Sequence, residues 1–289
     1  MTKQITVISG KGGTGKTTVT SSLAFLAQED VVMADCDVDA PDLHLILQPE
    51  NIGQEEIYIT KKVRRIEEKC IRCNLCGEKC RFGAIDAYNI NDFKCEGCGL
   101  CVQICPEDAL YLEKILTGTI YDATTRFGPM IHARMTIGEG NSGRLVDQVR
   151  KRAQKKADTL EKQYIIVDGS PGIGCPVIAS ITGVDLALIV VEPTLSGIHD
   201  LERVLDVTKH FQVKAMVCIN KYDLNQENTQ KIEEYCKKEE ISVAGTIPFD
   251  PVVPQSIIAQ KTILEMDNES LKDNLREIWK NIQEQLNKH

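Results

Sequence analysis

No stretch of the 289-residue chain approaches the ~20 consecutive apolar residues of a membrane-spanning helix. The longest apolar run, Val184 to Val191, is interrupted by Asp185. Nor does the N-terminus carry a signal peptide: Met1 to Gln4 leads straight into the strand-like run Ile5–Ile8, with no apolar h-region or cleavage site. Positive charge is in deficit as well. The 34 Lys and Arg stand against 42 Asp and Glu, net −8, whereas general nucleic-acid binders are basic. These absences predict a cytoplasmic protein with no nucleic-acid partner and no stable membrane insertion. A composition 42% apolar and 26% charged excludes disorder and fibrous chains. The length suggests two domains at about 150 residues each and allows a core that needs no disulfides.

Cysteine, by contrast, is abundant: twelve residues, eight of them between Cys70 and Cys105. In a reducing compartment a dense cluster reads as metal ligation rather than disulfides. Cys70, Cys73, Cys76 and Cys80 form C-x2-C-x2-C-x3-C, and Cys95, Cys98, Cys101 and Cys105 repeat the pattern 25 positions later. The neighbours repeat too, Gly83-Ala84-Ile85 answering Asp108-Ala109-Leu110, so the segment is an internal duplication. Three thiolates at this spacing wrap one iron–sulfur cubane, while the fourth points to the neighbouring one. Cys70, Cys73, Cys76 and Cys105 are therefore assigned to one [4Fe–4S] cluster, and Cys80, Cys95, Cys98 and Cys101 to the other. Zinc knuckles would use CxxC pairs separated by a longer gap. Residues 62–114 thus resemble a two-cluster bacterial ferredoxin, with one departure: Pro106 follows Cys105, but Arg81 follows Cys80. Such clusters serve electron transfer, and they can also be structural.

A second motif opens the chain. The β-branched run Ile5–Ile8 enters Gly10, Lys11, Gly12, Gly13, Thr14, Gly15, Lys16, Thr17 and Thr18, followed by a helical stripe of Leu23, Leu26 and Ala27. This is G-x-x-x-x-G-K-[ST] in its strand–loop–helix context. Glycines let backbone N–H groups turn onto phosphates, and the helix N-terminus adds partial positive charge. Lys16 is expected on the β- and γ-phosphates and Thr17 on Mg²⁺.

With Lys11 included, the loop resembles the deviant Walker A motif, KGGxGK[ST], of the MinD/Mrp/ParA ATPases and the nitrogenase iron protein. The resemblance implies that Lys11 reaches across a nucleotide-sandwich dimer to the partner's phosphates; without it, Lys11 is a surface lysine. Asp35-Cys36-Asp37-Val38-Asp39-Ala40-Pro41 is similar to the family's first switch, which gives Asp37 the task of positioning the attacking water. Tyr164 to Gly172, an apolar run ending in Asp168 and a Pro-Gly turn, resembles the second switch and Walker B strand, with Asp168 holding Mg²⁺ through water. Asp39 and Asp42 can equally be simple turn residues.

The runs Val184–Val191, Val213–Ile219 and Ile241–Ile247 read as buried parallel strands. With alternating helices they predict an α/β, doubly wound, mostly parallel sheet of the P-loop NTPase type, interrupted by a small α+β ferredoxin-like insert. The expected division is 1–61 and 115–289 for the ATPase domain and 62–114 for the insert. Asn220-Lys221-Tyr222-Asp223 fits the guanine-reading N-K-x-D, yet the resemblance implies adenine recognition by Asn220, so ATP is expected and GTP stays open.

Three further signals are discounted. The basic run Arg150–Lys156 lies on a helix with an apolar stripe of Leu145, Val149, Ala153, Ala157 and Leu160, and reads as a solvated face. The C-terminal stripe from Leu271 to Leu286 carries mixed charge and reads as a helix packed on the sheet rather than on a membrane. Cys175 reads as a buried apolar thiol. The segments Phe127–His132 and Gly138–Gly143 receive no role.

As a whole the chain resembles MinD-superfamily ATPases that carry an inserted ferredoxin domain. That implies ATP hydrolysis with Mg²⁺ held by Thr17, Asp37 and Asp168, with Lys11, Lys16 and Asp37 catalytic, in a nucleotide-dependent homodimer or a heterodimer with a related ATPase. Nucleotide-driven switching would gate electron transfer from the two [4Fe–4S] clusters to a redox or metallocofactor partner protein. Cluster carriage or assembly, and a MinD-like positioning switch with redox-sensing clusters, are the alternatives.

Overall fold

The computed structural model describes residues 2–86, 88–140 and 142–288. From the N-terminus, β1 (Lys3–Ser9) leads through the glycine loop into α1 (Lys16–Ala27), followed by β2 (Val31–Asp35), α2 (Leu43–Leu47) and β3 (Glu50–Ile57). The cysteine-rich segment then forms β4 (Thr60–Arg65), α3 (Leu75–Glu78), β5 (Ile85–Asp86), β6 (Asn89–Ile90), α4 (Leu100–Gln103) and β7 (Leu110–Ile115). Next come β8 (Gly118–Thr125), β9 (Gly128–Met135), α5 (Ser142–Thr159), β10 (Tyr164–Pro171), α6 (Cys175–Ile181) and β11 (Leu186–Val191). The chain finishes with α7 (Leu195–His210), β12 (Ala215–Asn220), α8 (Gln226–Lys238), β13 (Ser242–Ile247), α9 (Val252–Ile258) and α10 (Glu269–Asn287).

Nine strands build one sheet in the order β13-β12-β11-β1-β10-β2-β9-β8-β3. The strands from β13 to β9 run parallel, whereas β8 and β3 join antiparallel. Parallel strands covered on both faces must be apolar throughout, and every residue of β11 is buried. All carboxyl ends of β1, β2 and β10 reach the same edge, so the register pairs Val7 with Asp168 and Asp168 with Asp35. The expected helix on the sheet is α10: Leu271, Leu275, Ile278, Trp279 and Ile282 are buried, and the Asn268 side chain caps it by accepting from Leu271 N. Among the described residues no helix is long and apolar enough to cross a membrane.

Helix α5 departs in part from its expected solvated face. Lys151 and Lys155 are exposed, but the Arg150 guanidinium donates to Ala179 O at 2.7 Å, Thr182 O at 2.8 Å and Gln4 Oε1 at 2.8 Å. It satisfies carbonyls at the end of α6 that the helix itself leaves without partners. Leu160, expected on the apolar stripe, lies beyond the helix and is exposed.

The segment between β3 and β8 has its own small core of Val63, Ala84, Ile85, Cys95 and Leu110, separate from the cores packed on the large sheet. Strands β4 and β7 pair antiparallel at its base, Thr60 opposite Ile115 and Arg65 opposite Leu110. The 25-residue repeat is visible in the backbone: left-handed residues recur at Arg72 and Gly97, Asn74 and Gly99, Gly83 and Asp108.

Candidate functional site

At the carboxyl edge of the sheet the glycine loop closes over acidic strand ends. Gly15 has φ +92°, and a Cβ there would lie 2.3 Å from the Asn220 amide nitrogen, so only glycine fits. That amide donates to Thr14 O at 2.7 Å, which makes Asn220 a brace for the loop. Lys16 is buried, its ammonium 2.8 Å from Asp168 Oδ1 and 3.6 Å from Asp37 Oδ2. Burial alone would lower the Lys16 pKa, but Asp168, Asp37 and Asp35 outweigh it and the net shift is upward. The Thr17 hydroxyl donates to Asp168 Oδ2 at 2.8 Å, and Thr20 donates to Asp168 Oδ1 at 3.1 Å.

Asp35 lies wholly buried beneath this group. Its Oδ1 accepts from Asp37 N at 3.1 Å, while Oδ2 has no hydrogen-bond partner. Burial, reinforced by the Asp168 charge and opposed by Lys16, pushes the Asp35 carboxyl well above the usual carboxylate range. Burial also raises Asp37, against the pull of Lys16. Thr14 Oγ1 is a second buried oxygen without a partner. The Thr17 hydroxyl and the Asp168 carboxylate, held together, are donors of the kind that a phosphate-bound Mg²⁺, a hard cation, takes. The two switch-like segments touch: Cys36 N donates to Asp168 O at 2.8 Å, and Ser170 Oγ donates to Cys36 O at 2.8 Å.

Lys11 is held by its own chain, 3.5 Å from Glu192 Oε2 and 3.3 Å from both Thr194 Oγ1 and Ser196 Oγ. Asp223 is engaged elsewhere, its Oδ1 accepting from Phe249 N at 2.6 Å. Cys175, expected buried, is exposed at the start of α6. Pro176 and the preceding Gly174 begin the helix at the surface, so the apolar neighbours Val177 and Ile181 point inward without it.

The eight clustered cysteines line two small cavities. Cys70, Cys73, Cys76 and Cys105 border one; Cys80, Cys95, Cys98 and Cys101, with Cys76 again, border the other. The last cysteine of each half therefore crosses to the other half's cavity. Repeat-related N–H groups point at the crossing sulfurs: Ala84 N to Cys80 Sγ and Ala109 N to Cys105 Sγ, both at 3.3 Å. Burial works against the Cys80 thiolate, but N–H groups from Phe82 to Ile85 prevail and lower its pKa. Cys101, half-buried and facing Cys95 and Cys98, is pushed up to about 11. Among the described residues no three His, Cys, Asp or Glu side chains form a group that would hold a single metal ion. The donors of each cavity instead surround a space, which fits a multi-atom cluster with one thiolate per iron.

Sequence reasoning missed Thr20, Arg150 and Glu192, whose partners lie far away in the chain. A further polar cavity between α2 and β9 was also missed; its walls include His44, Asn51, Tyr121, His132, Arg134 and Gln260.

Comparison with known proteins places these features. The model of the CobQ/CobB/MinD/ParA nucleotide binding domain matches residues 5–263. An uncharacterized protein of Methanocaldococcus jannaschii is 35% identical over 283 residues, 97% of this chain and 96% of that protein. The solved septum site-determining protein MinD complexed with Mg-ADP, from Pyrococcus horikoshii, is similar in fold, with TM-score 0.60 and 19% identity over 98% of this chain and 96% of that one. A shorter match of 49 residues, 17% of this chain, is 39% identical to 60% of the pyruvate synthase subunit PorD of Methanothermobacter marburgensis.

Proposed function

Because the chain belongs to the CobQ/CobB/MinD/ParA nucleotide-binding family, we propose that it hydrolyses ATP with Mg²⁺ and couples this to electron transfer through two [4Fe–4S] clusters in residues 62–114. The observation that carries the reading is the pair of cavities, each bordered by the four cysteines that the repeat assigns to one cluster. The 49-residue similarity to a pyruvate synthase subunit supports it, since a stretch of that length would encompass most of such a unit.

Lys16 exchanges its contacts with Asp168 and Asp37 for the β- and γ-phosphates, and Thr17 with Asp168 holds Mg²⁺. Asp37, freed from Lys16, orients the attacking water. Lys11 leaves Glu192 to meet the γ-phosphate of a second copy in a nucleotide-dependent dimer, where its charge stabilises the transition state. ATP is favoured over GTP because Asp223 already accepts from Phe249 N. The clusters, when bound, would supply one-electron carriers. Around them the chain keeps Cys95 buried but leaves Cys73 and Cys98 exposed. That exposure favours a second reading, delivery of a cluster to an acceptor protein.

Anaerobic purification, followed by iron and sulfide assay, electron paramagnetic resonance and ATP turnover, tests the proposal. About eight iron atoms per chain and cubane spectra are expected, altered by ATP and retained when an apo-acceptor is added. Loss of iron to the acceptor would select the second reading; zinc in place of iron would sink both.

A further inference from the structure

Lys62 opens the cysteine-rich segment, yet only 4% of it is exposed. Its ammonium donates to Cys95 O at 3.0 Å and Asp92 O at 2.8 Å. The Asp92 carboxylate is engaged separately by Arg64, at 2.7 Å. The side-chain counter-charge facing Lys62 is Glu139, whose Oε2 lies 3.8 Å away. That oxygen is buried and has no hydrogen-bond partner. The pair is thus close enough to interact strongly, but too far apart for a hydrogen bond.

Glu139 ends a short strap, residues 135–139, that begins at the nucleotide edge. Met135 N donates to Val38 O at 3.3 Å, directly after Asp37. Thr136 N donates to Thr117 O at 2.9 Å, and the Thr117 hydroxyl accepts from Ile59 N and Thr60 N at the base of the insert. Gly138, at φ +86°, faces the Phe93 ring. A hydrogen-bonded path therefore runs from the Asp37–Val38 segment to the strap that carries the residue facing Lys62.

We propose that Lys62, opposed by Glu139 of the strap, is the positioning residue that sets the reduction potential of the centre bound by Cys80, Cys95, Cys98 and Cys101. The inference rests on the iron–sulfur reading above. A positive charge held on the Cys95 carbonyl favours the added electron; a closer Glu139 cancels it, and a withdrawn Glu139 exposes it. No bond is made or broken, and one electron enters from an external reductant such as dithionite.

The test is a redox titration of the iron-loaded protein by electron paramagnetic resonance, with and without ATP. Lys62→Met should shift the reduction equilibrium of one centre about tenfold toward the oxidised state, about 59 mV for a one-electron couple. The Cys70/Cys73/Cys76/Cys105 centre, whose cavity shares only Cys76 with the other, serves as internal control. Glu139→Gln should shift the same centre in the opposite direction and abolish the ATP-dependent difference, while Lys62→Arg should stay near the wild type. A purely structural role would move both variants alike. Shifts of one sign, or none, in iron-loaded protein overturn this inference alone; wild-type protein without iron removes the parent reading and this one with it. Should Lys62→Met fail to load iron, the opposite displacement in Glu139→Gln carries the test.

Discussion

His132 sits under the polar cavity beside the first switch-like segment, stacked on Tyr121 with ring centroids 4.9 Å apart. Its Nε2 lies 2.9 Å from Asn51 Oδ1. Burial, with the charges of His44 and Arg134, pushes the imidazole from 6.5 down to about 4. Between those two values the unfolded chain binds a proton that the folded chain refuses, so stability is fully present above 6.5 and is lost as pH falls through the window. Allowing for partial solvent screening, the loss is of order 2 kcal/mol. His132→Gln should therefore show a smaller drop in urea midpoint between neutral pH and about pH 4.5 than the wild type. Equal drops would refute the assignment. At this scale the sequence marks residues whose signal is local: Lys16 and Thr17 follow the glycine loop, Asp168 ends an apolar run, and the fold brings the three together. It could not reveal Thr20 as a donor to Asp168, or Arg150 as a cap for α6, because each pairing spans many residues of chain. Cys175 was misjudged because the apolar residues around it belong to the inner face of α6, whereas it stands at the helix's outer end.

Elements were legible where burial left a simple pattern. The central strands carry short apolar or β-branched runs, Ile5–Ile8 in β1, Ile165–Val167 in β10, Leu186–Val191 in β11 and Ala215–Ile219 in β12, and α10 has a clean helical stripe. The antiparallel edge formed by β3 and β8 was not read, since most of β3 is exposed and β8 mixes buried with half-buried positions. An edge strand carries little hydrophobic signal of its own. The glycines of the duplicated loops separate two constraints that sequence alone merges. Gly97 and Gly83 both have positive φ, +61° and +59°, but a Cβ on Gly97 would lie 2.1 Å from Lys61 O, whereas Gly83 faces open space. Lys61 is pinned by its pairing with Lys114, so it cannot retreat without breaking the β4–β7 ladder. Gly83→Ala should cost only the backbone strain, about 1 kcal/mol, and leave iron loading intact. Gly97→Ala adds the clash and should cost at least about 3 kcal/mol or abolish loading at the Cys95 loop. Thermal melts with iron assays compare the two; equal effects would mean that Lys61 yields.

For the molecule as a whole, the arrangement of cores argues that one chain contains two separately stabilised bodies. The cluster of Val63, Ala84, Ile85, Cys95 and Leu110 is far smaller than the cores on either face of the large sheet. A unit of some fifty residues with so little apolar burial normally needs a metal to hold it. The large sheet needs nothing from the insert to close: Ile57 is the register partner of Gly118, and Thr117 N donates to Ile57 O at 2.7 Å. The insert therefore leaves and re-enters at adjacent points of an antiparallel pair, where a two-residue hairpin turn would serve. Replacing residues 58–117 with Asn-Gly should give a folded α/β protein that still binds ATP and Mg²⁺ but holds no iron. The cost includes the Thr117 bond to Thr136 N and the Lys62–Glu139 pair, whose loss loosens the strap without touching Lys16, Thr17 or Asp168. Circular dichroism, nucleotide titration and iron assay of the shortened chain provide the measurement. Failure to fold would show that the sheet depends on the insert, and with it that the boundaries at 61 and 115 divide one body. Nucleotide binding at wild-type affinity would show the opposite: the nucleotide edge keeps its shape without any contact from residues 58–117.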